Sequence, residues 1–220
     1  MIPMIITETK PNVAREPRIT ELGLNHKDME SSERNPDEPA WLLSARKVGH
    51  ARFAELGLPT LHDEDWRFTN VAPIAKMVFK PGLELVHHGV TEKVLSQFPF
   101  TTLAGGQLVF VNGQFAPELS SLAKLPAGVK VTSLADALGN VPALVEKHLF
   151  RHARTDTNAF TALNTAFFQD GAFIYVPAGQ ALAEPIHLLF VSTAKDHGAT
   201  AHPRNLIVAE RDSRVTVIES

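Results

Sequence analysis

Over the first forty positions apolar and polar residues follow one another with no period; no aromatic side chain precedes Trp41, and prolines at 3, 11, 17, 36 and 39 punctuate scattered charges. Such a stretch has little apolar area to offset the entropy of ordering it, so residues 1–36 are predicted to be a flexible tail. The pattern then turns helical. "DEPAWLLSARKVGHARFAELGLPT" sets Leu42, Ala45, Val48, Phe53 and Leu56 at helical spacing behind Asp37 and Glu38, predicting a helix over 37–56. Gly57 supplies an αL stop, Leu58 the hydrophobic contact of a C-cap, and Pro59 bars continuation.

In the middle third, "GGQLVFVNGQFAPEL" is β-rich around Asn112-Gly113, which predicts a hairpin over 107–116. Ser133 followed by Asp136 resembles a capping box and opens a short helix. Pro142 suits the first turn of another, predicted over 142–153. Phe160, Leu163 and Phe167 then share one helical face before Asp170-Gly171 turns the chain. After Gly171 the grammar changes: "AFIYVP", "PIHLLFVS", "NLIVAE" and "RVTVIES" are short apolar runs rich in β-branched residues. Near-continuous runs of this kind predict strands covered on both faces. No helical segments of doubly wound type lie between them, which leaves a jelly roll, a sandwich or a parallel β-helix.

Composition narrows the chemistry. The chain of 220 residues carries 21 basic and 24 acidic side chains, a net charge of -3, too balanced to steer it to nucleic acid or an anionic membrane. Cysteine is absent, which removes disulfides, a thiolate nucleophile and the usual Cys-ligated iron–sulfur site. The start, "MIPMIITETK", lacks the shape of a secretory signal, and the following acids disfavour a transit peptide. The expected compartment is the cytoplasm, with no membrane span.

Candidate chemistry rests on acids and histidines. In "DEDWRFTN" (63–70), Asp63, Glu64 and Asp65 with His62 could form a metal or acid/base cluster. Three consecutive acids cannot all face one ion from a turn, since oxygen-ligand loops space them at alternate positions. The expected role is structural, with an acid capping a turn, Trp66 and Phe68 plugging against the helix of 37–56, and Arg67 pairing with an acid at the surface. His187, His197 and His202 fall around the strands, and with Glu210 could ligate a metal in a cupin-like barrel; yet no His-x-His occurs, and His187 in its apolar run suits a satisfied core histidine. His87 and His88 alternate across an extended segment and cannot chelate together. His148 and His152 stand four apart on a predicted helix, a two-ligand geometry for zinc without an evident third partner. Phosphate loops, nucleophile elbows and dinucleotide fingerprints are all missing from the sequence.

Taken in order, "ARFAELGLPTLHDEDWRFTN", "LVFVNGQFAPELS", "FTALNTAFFQDGAFIYVP", "PIHLLFV" and "HPRNLIVAERDSRVTVIES" resemble the SufB/SufD scaffold proteins of iron–sulfur cluster assembly over roughly residues 40–220. "GLPT" and "EDWRFTN" place the resemblance on the SufD branch. It implies an α+β chain, a helical N-terminal region followed by the start of a right-handed parallel β-helix. Residues 37–156 would be a mainly helical domain with a small hairpin, and 157–220 a leading helix and the first coils, cut short at Ser220. At about 20 to 25 residues per coil that is two coils, fewer than the about three a solenoid needs, with an apolar end exposed.

The same resemblance implies a non-catalytic subunit that works with a SufB-like subunit and a SufC-like ATPase. The family's partner-contacting residues lie past the last position here, so it implies no catalytic, cofactor or metal residue in this stretch, and no cofactor. The rival expectation is a cupin-like metal-dependent oxygenase or isomerase using His187, His202 and Glu210.

Overall fold

The computed structural model describes residues 38–77, 79–81, 89–98, 105–193 and 199–220. The predicted tail, His87, His88 and His197 lie outside these described residues.

Helix α1 (Ala40–Leu56) begins after Pro39 and ends at Gly57, whose amide donates to the Phe53 carbonyl. Gly57 has φ 64 and ψ -179, so the stop is not the predicted αL residue but a conformation that only glycine enters freely. The buried stripe of α1 is Leu42, Arg46, Gly49 and Phe53. Val48, expected on that stripe, is 59% exposed. The spacing was helical, but a stripe through 42, 46, 49 and 53 admits Arg46 and leaves Val48 on the outer face.

Short helices α2 (Ala72–Ala75) and α3 (Glu92–Leu95) flank strand β1 (Lys80–Pro81). Strand β2 (Gly106–Val111) returns as β3 (Gln114–Phe115) through Asn112 and Gly113, with φ of 52 and 85, the two positive values a primed hairpin turn demands. After β4 (Ser121–Leu122) and β5 (Lys130–Ser133) comes α4 (Leu134–Asn140), where the Ser133 side chain accepts from the Asp136 amide as the capping box predicts. Helix α5 (Pro142–His148) carries Pro142 in its first turn but ends five residues before the predicted 153. Leu149 turns extended (φ -63, ψ 143) and Phe150 follows at φ 64, so the helix cannot continue. Asn158 caps α6 (Ala159–Phe167) by accepting from the Thr161 amide. The remaining strands are β6 (Ala172–Val176), β7 (Ile186–Val191), β8 (Ala199–Thr200), β9 (Leu206–Ala209) and β10 (Val217–Glu219).

These strands form two main sheets of mixed direction, β10-β7-β2-β3 with β4 beside β2, and β5-β6-β9; β1 pairs with β8. Neither main sheet closes on itself among the described residues, so the barrel required by a cupin-like reading is not formed there. Within β2-β7-β10 and β6-β9 the pairing is parallel. Phe173 lies beside Leu206, Ala181 beside Arg214 and Ile186 beside Val217, so the register returns after 33, 33 and 31 positions. That interval exceeds the expected 20 to 25, and three strands, β8 among them, fall within it.

Alternation explains the continuous apolar runs. Leu108, Phe110, Ile174, Val176, Ile186 and Leu188 point between the two sheets into one core. Their neighbours point the other way: Phe173 meets Leu134, Leu149 and Phe168 under the helices, while Val109, Val111 and Leu189 meet Leu95 of α3. Both faces of β2, β6 and β7 are therefore covered, as an unbroken apolar run requires, whereas β9 alternates buried and exposed residues, with Ile207 46% exposed, and β10 is only partly buried. β2 pairs with β7 and β5 with β6, so residues before position 156 share sheets with those after it.

Candidate functional site

Three features fix the junction where α1, α6 and the sheets meet. The first is Arg46, buried on α1. It pairs with the Glu38 carboxylate at 2.9 Å, donates to the Ala166 and Phe168 carbonyls at the end of α6, and lies 4.4 Å over the Phe168 ring. A cation at a helix C-terminus satisfies carbonyls that the helix cannot. The second is Arg204, 9% exposed, which donates to Asn164 Oδ1 and Thr165 Oγ1 of α6 and stacks 5.2 Å over Phe150. Phe150 and Phe168 meet edge to face at 5.9 Å, so two arginines and two rings form one continuous run of contacts.

The third feature is the Asp170-Gly171 turn. The Asp170 carboxylate accepts from the Ala135 and Gly171 amides, and burial pushes its pKa up despite these bonds. The Arg204 amide donates to the Asp170 carbonyl and Asn205 Oδ1 accepts from the Ala172 amide. Sequence reasoning found the turn but missed both arginines. The available signal was a cation, Arg46, four after Leu42 and seven before Phe53, on a stripe otherwise free of charge.

The acidic stretch is structural. The Asp63 carboxylate accepts from the Thr60 amide at 2.8 Å and from the Thr60 hydroxyl at 3.1 Å, and a 3-10 turn spans Glu64–Trp66. Arg67 pairs with Glu64 at 2.7 Å on the surface. Trp66 packs on Phe160 of α6 at 5.3 Å and joins the cluster holding Phe53 and Leu58. Phe68, expected to plug in beside it, is 87% exposed with Arg67 over its ring at 4.6 Å. The 3-10 turn puts Trp66 inward, and two residues later the side chain points to solvent. Next to this stretch lies an apolar cavity of about 610 Å3, walled by Leu58, Leu61, Val71 and Ala75, with Thr60 and Lys76 at its polar edge.

The histidines separate. His187 is fully buried on β7; its Nδ1 is 3.0 Å from Gln107 Oε1 and its Nε2 2.7 Å from Ser220 Oγ. Burial holds its pKa below the ordinary value, the behaviour of a satisfied core histidine. His202 packs tilted against Phe167 of α6, 5.8 Å between centroids, and burial lowers its pKa to about 4. Glu210 stands beside Tyr175, whose hydroxyl is raised first by burial and then by that carboxylate. The three residues of the cupin-like reading thus face different neighbours, and among the described residues no group of three His, Asp or Glu is placed to hold a metal. His148 ends α5 and His152 lies beyond it, so their expected helical pairing does not form. Both nevertheless border a cleft of about 450 Å3 together with Glu210. One reciprocal contact left no trace in the sequence: the Asn112 amide donates to Thr193 Oγ1 while its oxygen accepts from the Thr193 amide, clipping the hairpin turn to the end of β7.

Residues 29–188 match the family model for the SufBD protein N-terminal region. An iron-sulfur cluster assembly SufBD family protein of Synechocystis sp. is 30% identical over 184 residues, which cover 83% of this chain and 40% of the relative. A chloroplastic SufBD family protein of Arabidopsis thaliana is 28% identical over 211 residues, 90% of this chain and 37% of the relative. The iron-sulfur cluster assembly protein SufD of Bacillus subtilis is 26% identical over 216 residues, 91% of this chain and 46% of the relative. The chain thus spans less than half the length of each of these relatives. Among the described residues no helix is long and apolar enough to cross a membrane.

Proposed function

The chain belongs to the SufBD protein family, and from that premise we propose that it is a SufD-like, non-catalytic scaffold subunit of iron–sulfur cluster assembly. It acts with a SufB-like subunit and a SufC-like ATPase, and works in the cytoplasm. The match over residues 29–188 carries this reading. It is supported by what the candidate chemical groups do: the Asp63 carboxylate holds Thr60, Glu64 pairs with Arg67, and both nitrogens of His187 meet side chains of neighbouring segments. For the second half we infer a right-handed parallel β-helix. The parallel pairs β6-β9 and β7-β10, with registers returning after 33 and 31 positions around one apolar core, support successive coils.

Co-expression of the tagged chain with SufB-like and SufC-like subunits tests the assignment. Recovery of both partners with the tag, and ATP hydrolysis confined to fractions holding the SufC-like subunit, is the expected result. Turnover of ATP by the chain alone, or recovery of neither partner, would overturn it.

A further inference from the structure

A cleft of about 560 Å3 runs between the outer face of α1 and the segment after α5, a volume typical of recognition sites. Trp41, Val48, Phe150 and Thr165 line it, together with Arg154 and Asp156, which pair with each other. Its apolar part is ready for contact: Trp41 and Phe150 meet edge to face at 6.4 Å, and Val48 is left 59% exposed on α1.

Behind this wall stands Arg204. Its guanidinium stacks on Phe150 and donates to Thr165 Oγ1 at 3.3 Å and the Ala153 carbonyl at 3.5 Å, and all three residues border the cleft. Its remaining acceptor is Asn164 Oδ1 at 3.0 Å, so every acceptor it has among the described residues is neutral. Arg46, equally buried, differs in having the Glu38 carboxylate and the last carbonyls of α6. A desolvated cation met only by neutral dipoles keeps a positive potential that water does not screen. At the rim, Arg154 pairs with Asp156 at 2.7 Å, an exposed contact worth about 0 to 1 kcal/mol that an incoming carboxylate can replace cheaply.

We propose that this cleft docks a segment of a partner polypeptide, seating an aromatic or branched side chain against Trp41 and Val48 and an adjacent carboxylate toward Arg154 and the charge of Arg204. Arg154 and Asp156 cancel in the lining, so it is the charge of Arg204, met only by neutral acceptors behind Phe150, that selects the acid, and the exposed apolar wall selects its neighbour. This deepens the scaffold reading by naming the chemistry of one contact.

Two blocked tetrapeptides, Ac-Gly-Phe-Glu-Gly-amide and its Gln counterpart, test it on the full chain labelled with 15N-tryptophan. The sequence holds two tryptophans, so Trp41 in the cleft reports binding and Trp66 outside it serves as control. The expected result is a saturable shift of the Trp41 indole signal alone, with the Glu peptide bound about tenfold or more tightly, about 1.4 kcal/mol, over the Gln peptide. V48E should abolish the shift, and R204M should remove the preference for Glu; should R204M not fold, R154A should weaken the Glu peptide about threefold. An unmoved Trp41 signal at about 5 mM peptide, equal affinity for the two peptides, or binding unchanged in V48E would overturn the proposal. Because the probes are small peptides, that failure is distinguishable from failure to recover the SufB-like and SufC-like subunits.

Discussion

Gly49 of α1 meets Ala162 of α6 backbone to backbone: a β-carbon at Gly49 would stand 2.9 Å from the Ala162 carbonyl oxygen and 2.9 Å from the Ala166 amide nitrogen. The obstacles are main-chain atoms, so no side-chain rotation relieves them. Replacing glycine inside a helix would otherwise gain up to about 1 kcal/mol in propensity. Here the close approach reverses the sign, and G49V is expected to lower stability by about 1 to 3 kcal/mol through overpacking. Urea unfolding reads this directly; an unshifted midpoint would mean that the two helices are not held so close.

Gly171 is constrained by space and not by conformation, since its φ is not among the positive ones. A β-carbon there would fall on the carbonyl of Arg204, 2.8 Å from the Arg204 nitrogen. Moving that backbone breaks the Arg204 amide bond to the Asp170 carbonyl and the Asn205 bond to Ala172, which begin the β6-β9 pairing. G171A should therefore cost about 3 kcal/mol or more, at the upper end for overpacked sites. Equal thermal midpoints for G171A and the wild type would contradict this account.

Much of the fold could be read from local chemistry. Asn112-Gly113 gave the hairpin, Ser133 and Asp136 the cap of α4, and four apolar runs gave four strands, because each signal acts over a few residues; of the four, β6 and β7 are covered on both faces, while β9 and β10 leave residues exposed. What escaped depended on distant partners. Whether Val48 or Arg46 joins the buried stripe is decided by α6, more than a hundred residues on. Phe68 and Trp66 are both aromatic, and only the 3-10 turn separates their fates. At the candidate site the same limit applies: Thr165, Phe150 and Trp41 line one cleft from three separate segments, and the neutral surroundings of Arg204 exist only after folding.

Trp66 and Phe68 should respond oppositely to truncation. Trp66 packs on Phe160 and the cluster around Phe53, while Phe68 is 87% exposed. W66A is expected to destabilise by about 2 to 4 kcal/mol, somewhat below the full core value because the indole is only partly buried. F68A should stay within about 0.5 kcal/mol. Guanidinium midpoints for the two variants settle the point, and a loss in F68A equal to that in W66A would place both rings in the core.

Acid should weaken the fold through His202. Burial holds its imidazole at about 4 against an ordinary 6.5, so between these values the unfolded chain binds a proton that the folded chain refuses. The stability contributed by the neutral ring is complete above about pH 6.5 and is lost progressively as pH falls toward about 4. The gap corresponds to about 2 to 3 kcal/mol once partial exposure of the residue is allowed for. His187, also lowered by burial, acts in the same direction below pH 6.5. Asp170, raised by burial, acts in the opposite direction, since its folded form takes up a proton first and gains stability as pH drops through the raised value. H202F keeps a ring against Phe167 and removes one titration while leaving the other two. Urea midpoints from pH 7 to pH 4 should therefore fall less steeply in H202F than in the wild type, and parallel curves would show that the His202 ring is already free to take its proton in the folded protein.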